Sequence, residues 1–183
     1  SNRHDGDAGP LYTVRSKAVV VASGEFDQPV IPQLSGTFTG PSTHASRLDV
    51  DAVEAGERVL VVGARNSAAE VVPLLVERGA VVTVAARRGL QKPVGALGGW
   101  WADLQFRLSA ATVHGGLGVP CTTQTPTVDD ALWRLKKAAK ITVVGEATGL
   151  RADAVQCGEA WHVCDRVVWA TGYRRATEFA PSG

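Results

Sequence analysis

The sequence predicts an α/β fold in which a parallel sheet carries helices on both faces and a small antiparallel meander lies beside it. The first observation is a strand, a helix and a second strand at residues 58–63, 66–78 and 81–85, a βαβ unit that requires a parallel sheet. The second is that residues 18–22 form a continuously apolar, β-branched run, as in strands of sheets buried on both faces. The third is a run of short segments separated by glycines at residues 145–163, which predicts antiparallel strands.

The remaining elements follow from the same kinds of pattern. Apolar runs predict further strands, and apolar residues at helical spacing predict further helices. Residues 25–56 are rich in Pro, Gly, Ser and Thr and predict an ordered connector, because loops of this length are usually functional or lie between domains. The additional strands are predicted at residues 11–14, 18–22, 141–144 and 167–170, and the additional helices at residues 100–108 and 129–138.

Composition argues against several classes of protein. The chain has 183 residues, of which 45% are apolar and 20% charged, and its formal net charge of +1 creates no overall field that attracts nucleic acid. Its longest apolar runs have the length of strands, which predicts no membrane-spanning helix. Three scattered cysteines predict a reducing, cytoplasmic location, and the histidines and cysteines have no metal-ligand spacing. We therefore expect no nucleic-acid partner, no membrane partner and no metal.

The clearest candidate site is the turn between the first strand and the helix of the βαβ unit. The sequence of this turn is Gly63-Ala64-Arg65-Asn66-Ser67-Ala68. A dinucleotide pyrophosphate binds at such a turn, because glycine allows the chain to turn tightly and the free amides of the helix start favour an anion. Arg65 stands where the usual fingerprint has its second glycine. Its Cβ obstructs the approach of a pyrophosphate, whereas its guanidinium can pair with phosphate. The alternative is a plain strand-to-helix turn with no ligand.

Arg87 and Arg88 form a second candidate site, about twenty residues beyond the turn and at the end of the second strand of the βαβ unit. An acidic residue there would bind the ribose hydroxyls of NAD, whereas arginine suits the 2′-phosphate of NADP. The two arginines therefore favour NADP. The alternative is a basic corner exposed to solvent.

Two further motifs support a resemblance to a known family. The connector contains Phe38-Thr-Gly40-Pro-Ser-Thr-His44, and the last predicted strand leads into Ala170-Thr171-Gly172-Tyr173. With residues 22–32 and the turn at residues 63–68, these segments resemble class B flavin-dependent monooxygenases, which include flavin-containing monooxygenases, N-hydroxylases and Baeyer–Villiger enzymes. Phe38, Gly40 and His44 match the signature of that family, and Leu48 replaces its aromatic residue.

The resemblance implies a fragment of a flavoprotein with two dinucleotide-binding domains and a Rossmann-like sheet. It implies that residues 1–24 are the edge of an FAD-binding domain, 25–56 the connector, 57–164 an NADP-binding domain and 165–183 a return strand towards the FAD-binding domain. FAD would be held by the missing half of the full-length parent. The chain contains no methionine, and we expect it to be a piece of a longer protein that is inactive alone.

The activity that the resemblance implies is that of an oxidoreductase. NADPH reduces FAD, and a flavin hydroperoxide transfers one oxygen atom of O2 to a small-molecule substrate. The NADP contacts would come from residues 63–67, Arg87, Arg88 and residues 170–173. No catalytic residue is expected within this chain, and His44 is expected to be a structural linker. Two alternatives remain open: a non-catalytic nucleotide-binding module, and a pyridine-nucleotide flavoprotein reductase, against which the lack of a Cys-x-x-Cys pair argues.

Overall fold

The structure is a computed structural model and describes residues 15–18, 26, 28–90 and 130–174. The predicted strand at residues 11–14, all but the first residue of the one at 18–22, and the predicted helix at 100–108 lie outside these residues. The strands are β1 (Gln28–Pro29), β2 (Ser42–His44), β3 (Arg58–Val62), β4 (Val81–Ala85), β5 (Ile141–Val144), β6 (Ala147–Arg151), β7 (Ala154–Cys157), β8 (Ala160–Val163), β9 (Arg166–Trp169) and β10 (Tyr173–Arg174). The helices are α1 (Asn66–Glu77) and α2 (Ala131–Lys137), and a short 3-10 turn spans Ala45–Arg47.

Five strands form a parallel sheet in the order β2-β9-β3-β4-β5. β3, α1 and β4 are the predicted βαβ unit, in which Leu60 pairs with Thr83. The chain then adds β5 beyond β4 and returns as β9 on the other side of β3, where Val61 pairs with Val168. The direction in which strands are added therefore reverses between β9 and β3, and this junction is the topological switch point of the sheet.

Helices cover one face of the parallel sheet. Ala68, Val72 and Leu75 recur at helical spacing and form the buried side of α1. Pro73 also lies inside α1, and because proline has no N–H it cannot donate to the carbonyl of Ala69. α2 packs beside α1 on the same face. The strand residues in this half of the core are Val59, Val61, Val82, Val84, Ile141 and Val168.

The opposite face is covered by β6, β7 and β8, which form a separate antiparallel sheet. The second half of the core lies between the two sheets, and its fully buried members include Leu60, Val155 and Val167. The predicted parallel sheet and antiparallel meander are therefore confirmed. In the described part of the chain both helices lie on one face and the meander covers the other. Residues 91–129, between β4 and α2, lie outside that part.

The segment between β1 and β2 is ordered by contacts with the antiparallel sheet. The N–H of Leu150 donates to the carbonyl of Ser35 at 2.7 Å, and the N–H of Thr39 donates to the carbonyl of Ala152 at 3.0 Å. The connector therefore runs along β6 before it enters the parallel sheet as β2. It is part of the packed fold rather than a loose linker.

Ion pairs hold the amino-terminal ends of β3 and β9. Arg166 Nε lies 2.6 Å from Glu57 Oε1, with side chains only 15% and 13% exposed. Arg58 donates to both carboxylate oxygens of Asp165, at 2.5 and 2.9 Å, and these hydrogen bonds lower the pKa of Asp165 to about 2. The ion pairs therefore lie at the start of the parallel ladder in which Val59 pairs with Arg166 and Val62 pairs with Trp169.

Candidate functional site

The residues predicted to bind a nucleotide all follow the carboxyl ends of parallel strands. Residues 63–67 follow β3, Arg87 and Arg88 follow β4, and residues 170–173 follow β9, while His44 is the last residue of β2. Parallel strands end at the same edge of a sheet, so the fold brings these residues to one edge. Ligands of open α/β sheets bind in the crevice at the switch point of this edge, which here lies between β3 and β9.

Gly63 marks the closest approach between the turn after β3 and the chain after β9. Its φ is +117°, and a Cβ at this position would lie 2.2 Å from the carbonyl oxygen of Ala170. The N–H of Gly63 donates to the carbonyl of Ala85 at 2.9 Å, and the N–H of Ala170 donates to the carbonyl of Val62 at 2.8 Å. The packing of the protein alone therefore requires glycine here, whether or not a ligand is bound.

The start of α1 is suited to an anion. Arg65 is the exposed N-cap residue, its side chain makes no capping hydrogen bond, and the first turn of the helix contains no acidic residue. The first helical hydrogen bond runs from the N–H of Ala69 to the carbonyl of Arg65 at 2.9 Å. The positive end of the helix dipole and a guanidinium group therefore lie together at the switch point, where both attract negative charge.

Arg87 and Arg88 lie in an exposed turn after β4. Arg87 Nη1 is 3.9 Å from Oε1 of Glu146, which follows β5, and the two side chains are 70% and 51% exposed. An ion pair this exposed contributes little to stability because water and salt screen it. The guanidinium of Arg87 is therefore accessible to a ligand at the same edge of the sheet.

The chain after β9 is tied to the connector at the carbonyl of Gly172. This oxygen accepts hydrogen bonds from the N–H of Val30 at 3.0 Å and from His44 Nε2 at 3.1 Å. The hydroxyl of Thr171 donates to the carbonyl of Val30, and β1 pairs with β10 in an antiparallel ladder. The two segments that lead into and out of the parallel sheet are therefore held side by side.

His44 is buried, with 2% of its surface exposed. The N–H of Ser46 donates to Nδ1 at 3.2 Å, so the ring proton is on Nε2 and is donated to Gly172. Burial lowers the pKa of His44, the Gly172 carbonyl opposes this shift, and the positive charge of Arg47 adds to it. The neutral ring lies edge-on to Tyr173 with centroids 5.0 Å apart. These contacts are compatible with a linker role, which stays a prediction.

Phe38 and Gly40 lie in the connector ahead of β2, away from the carboxyl edge. A Cβ at Gly40 would lie 2.7 Å from the carbonyl oxygen of Asp165 and 2.8 Å from the ring of Phe38. The next residue, Pro41, accepts a hydrogen bond from the N–H of Val167 at 2.9 Å. Glycine therefore lets the connector pass close to the start of β9, and this approach positions β2 beside that strand.

Two residues of this edge were not predicted from the sequence. Val30 acts through its backbone N–H and carbonyl, for which no side-chain pattern exists. Glu146 lies beside Arg87 only because β4 and β5 are neighbours in the sheet. Glu146 could have been predicted only from the order of the strands, which the sequence did not reveal.

The thiols and metal-ligating side chains suggest no further chemistry in the described residues. Burial raises the pKa of Cys157 to about 11 and is the main reason that the pKa of Cys164 rises to about 12, so both thiols are protonated at neutral pH and are poor nucleophiles. Within the described ranges, no group of three His, Cys, Asp or Glu side chains could hold a metal ion. No helix in this part of the chain is long and apolar enough to cross a membrane.

Comparison with protein families identifies the class of the chain. Residues 11–109, more than half of its length, match the family described as pyridine nucleotide-disulphide oxidoreductase. The chain belongs to the pyridine nucleotide-disulphide oxidoreductase family. The description of the family names a pyridine nucleotide.

Curated relatives of this family member are monooxygenases by name. Indole-3-pyruvate monooxygenase YUCCA8 of Oryza sativa is 30% identical over 189 residues, an alignment that covers 85% of this chain and 45% of the relative. The uncharacterized monooxygenase y4iD of Sinorhizobium fredii is 38% identical over 81 residues, which cover 43% of this chain and 12% of the relative. The chain spans less than half the length of these relatives.

Solved structures with the same fold are also monooxygenases. The flavin-containing monooxygenase from Stenotrophomonas maltophilia has a TM-score of 0.59 at 16% identity, and the match covers 88% of this chain and 44% of that one. Cyclohexanone monooxygenase from Rhodococcus sp. Phi1, solved with bound NADP+, has a TM-score of 0.58 at 14% identity, covering 86% of this chain and 46% of that one. The predicted fold and the resemblance to class B flavin-dependent monooxygenases are therefore confirmed.

Gly63→Ala should destabilise this family member strongly even without a nucleotide, because the new Cβ meets the Ala170 carbonyl and the backbone has a positive φ. We expect the free energy of unfolding to fall by more than about 3 kcal/mol. Gly56→Ala is the matched control, since its φ of +83° is also positive but nothing lies within 4 Å of the added Cβ; it should cost only about 1 kcal/mol. Denaturant unfolding measures both. Equal losses would contradict the close approach of Gly63 to Ala170.

The burial of neutral His44 should make stability depend on pH. Because its pKa is lowered in the folded state, the unfolded chain binds more protons as the pH falls below the ordinary value of 6.5. Stability is therefore fully present above pH 6.5 and is lost below it, by at most about 1.4 kcal/mol per pH unit. Denaturant unfolding at several pH values should show a steeper acid loss for the unsubstituted chain than for His44→Gln. Parallel pH profiles would refute the assignment.

Proposed function

We propose that this chain is the NADPH-binding portion of an FAD-dependent monooxygenase. The observation that carries the proposal is the placement, along one carboxyl edge of the parallel sheet, of the α1 start with Arg65 at the switch point and of the arginine pair after the neighbouring strand β4. Membership in a pyridine-nucleotide oxidoreductase family supports the nucleotide, and the monooxygenase relatives support the class of reaction.

The pyrophosphate of NADPH would be held at the turn after β3. Gly63 and Ala64 bring the backbone to the carboxyl edge of the sheet, and Asn66 and Ser67 begin the helix whose amides face that edge. The residues fit an anion, because the N-cap side chain is not used to cap the helix and no acid lies in the first turn. Arg65 would lie along the outer side of the phosphates.

The adenosine end of NADPH would extend towards β4. Arg87 and Arg88 follow this strand and are exposed, so either guanidinium can pair with a 2′-phosphate without losing a strong partner within the protein. Hydrogen bonds between guanidinium and phosphate are charge-assisted and bidentate in favourable cases. NADH offers only neutral ribose hydroxyls there, so NADPH would be preferred.

The chain after β9 would adjoin the nicotinamide end. Ala170 lies against Gly63, and Thr171, Gly172 and Tyr173 continue along the same edge, where the neutral His44 holds the carbonyl of Gly172. In the full-length parent, residues 1–24 and 165–183 would be the edges of the FAD-binding domain, with 25–56 as the connector and 57–164 as the NADP-binding domain. The domain that holds FAD would be supplied by the rest of the parent chain.

The cofactors would supply the chemistry and this chain would supply position. When bound, NADPH provides a hydride to FAD, which in turn activates O2 for the oxygenation of a small-molecule substrate. The residues described above would bind and orient the nucleotide, and none of them is assigned a proton transfer. The buried free thiols Cys157 and Cys164 support a reducing, cytoplasmic location as part of the same proposal.

The chain alone should bind NADPH more tightly than NADH. Arg87→Ala should weaken NADPH binding by about 1.5–3 kcal/mol, the value of a hydrogen bond to a charged group, and should leave NADH binding nearly unchanged. Isothermal titration calorimetry with both nucleotides measures the two affinities. The control is Lys137→Ala, which removes an exposed positive charge on α2 and should change neither. Equal affinities for NADPH and NADH in the unsubstituted chain would sink the assignment of Arg87 and Arg88.

Arg65→Gly tests whether the guanidinium of Arg65 attracts the pyrophosphate more strongly than its Cβ obstructs it. We expect NADPH binding to weaken by roughly 1 kcal/mol at low ionic strength, because an exposed guanidinium contributes an ion pair to the phosphates. The loss should shrink at high salt, where such pairs are screened. Arg65→Lys keeps the positive charge but lacks the planar guanidinium. Its affinity for NADPH should therefore lie between those of the unsubstituted chain and of Arg65→Gly. Tighter binding by Arg65→Gly would instead favour the second candidate, a non-catalytic nucleotide module with an obstructed turn.

A further inference from the structure

Glu146 is the acidic residue that forms an ion pair with Arg87, the first of the two arginines that follow β4. β4 and β5 are parallel neighbours in which Ala85 pairs with Val144, so Arg87 and Glu146 leave their strands at matching positions. The N–H of Ala86 donates to the carbonyl of Val144 at 3.1 Å and keeps the two chain ends together beyond the ladder. The resulting separation between Arg87 Nη1 and Glu146 Oε1 is 3.9 Å.

The backbone of Glu146 is fixed independently of Arg87. Its carbonyl accepts a hydrogen bond at 2.9 Å from the N–H of Gly158, in the turn between β7 and β8. The preceding Gly145 lies so close to this turn that a Cβ there would be 3.3 Å from the nitrogen of Gly158. The backbone that carries the carboxylate therefore stays near the end of β4 whether or not Arg87 pairs with it.

From this arrangement we infer that Glu146 is a specificity-determining residue that reduces the preference for NADPH over NADH. The inference rests on the proposed function, because it requires the 2′-phosphate to approach Arg87. That phosphate carries a charge of about −1.5 to −2 near pH 7. To pair with Arg87 it must break or share the ion pair with Glu146 and remain near a second negative group.

NADH meets the opposite situation at the same place. Its ribose 2′-hydroxyl is neutral, is not repelled by a carboxylate, and can donate a hydrogen bond to one. Glu146 would therefore weaken the binding of NADPH without weakening that of NADH. In the described residues the ion pair of Glu146 is with Arg87, so Arg88 continues to favour the phosphate. The balance between Arg87, Arg88 and Glu146 then sets the ratio of the two affinities.

The experiment is a calorimetric titration of the 183-residue chain and its Glu146→Gln variant with NADPH and with NADH. We expect the substitution to raise the ratio of NADPH to NADH affinity about three- to tenfold at low salt, the range of exposed charge interactions with a multivalent anion. The gain should fall towards unity at about 0.5 M salt, where the screening length is only a few ångströms. Glu146→Lys should raise the ratio further.

Glu77→Gln is the matched control, because it removes one exposed carboxylate at the carboxyl end of α1, near the opposite edge of the sheet. This variant should leave the ratio unchanged. If the unsubstituted chain prefers NADPH and Glu146→Gln leaves or lowers the ratio, the carboxylate is neutral or orients Arg87 productively, and the inference is overturned alone. If the unsubstituted chain binds neither nucleotide, the proposed function fails and this inference fails with it.

Discussion

The close approach of Gly63 to the carbonyl of Ala170 is the contact on which the candidate site depends. Because Gly63 has no Cβ, the end of β9 can lie against the end of β3, and the hydrogen bond from Ala170 to Val62 extends the ladder to this point. β3 and β9 are neighbours in the sheet, and the direction in which strands are added reverses between them. The turn at the start of α1 and the segment after β9 are therefore one structural unit, and neither can shift without disturbing the other.

The carbonyl of Gly172 extends this unit to the connector. It accepts hydrogen bonds from Val30 and from the buried His44, so the segment entering the parallel sheet and the segment leaving it share one acceptor. If the two segments moved apart, these hydrogen bonds would be lost. The neutral state of His44 matters for this reason, since its Nδ1 is an acceptor for Ser46 and a second ring proton would cost that contact.

The elements that depend on local sequence pattern were predicted correctly, whereas the contacts that depend on pairing between distant strands were not predicted. The periodicity of residues 58–85 predicted β3, α1 and β4 to within about one residue of their ends. The place of β9 between β2 and β3, on which the contacts of Val30 depend, has no such local pattern. The pairing of β4 with β5, which brings Glu146 beside Arg87, has none either. Phe38, Gly40 and His44 were identified only because they match the signature of the family that the chain resembles. The structure adds a physical reason for each, in packing against the start of β9 or hydrogen bonding to the chain that leaves it.

The two ends of the proposed nucleotide site rest on different physics. At the pyrophosphate end, the helix start and Gly63 are fixed by buried strands and by backbone hydrogen bonds, so the capacity to hold an anion is inseparable from folding. At the 2′ end, the charged groups are Arg87, Arg88 and Glu146, whose side chains are exposed and do not contribute to the core. Under the proposed function, substitutions among these three residues would alter which nucleotide is preferred at little cost in stability, whereas substitutions at the turn would also destabilise the fold. If the chain binds a dinucleotide as proposed, recognition of the pyrophosphate is a property of the fold, and the choice between NADPH and NADH is a property of its surface.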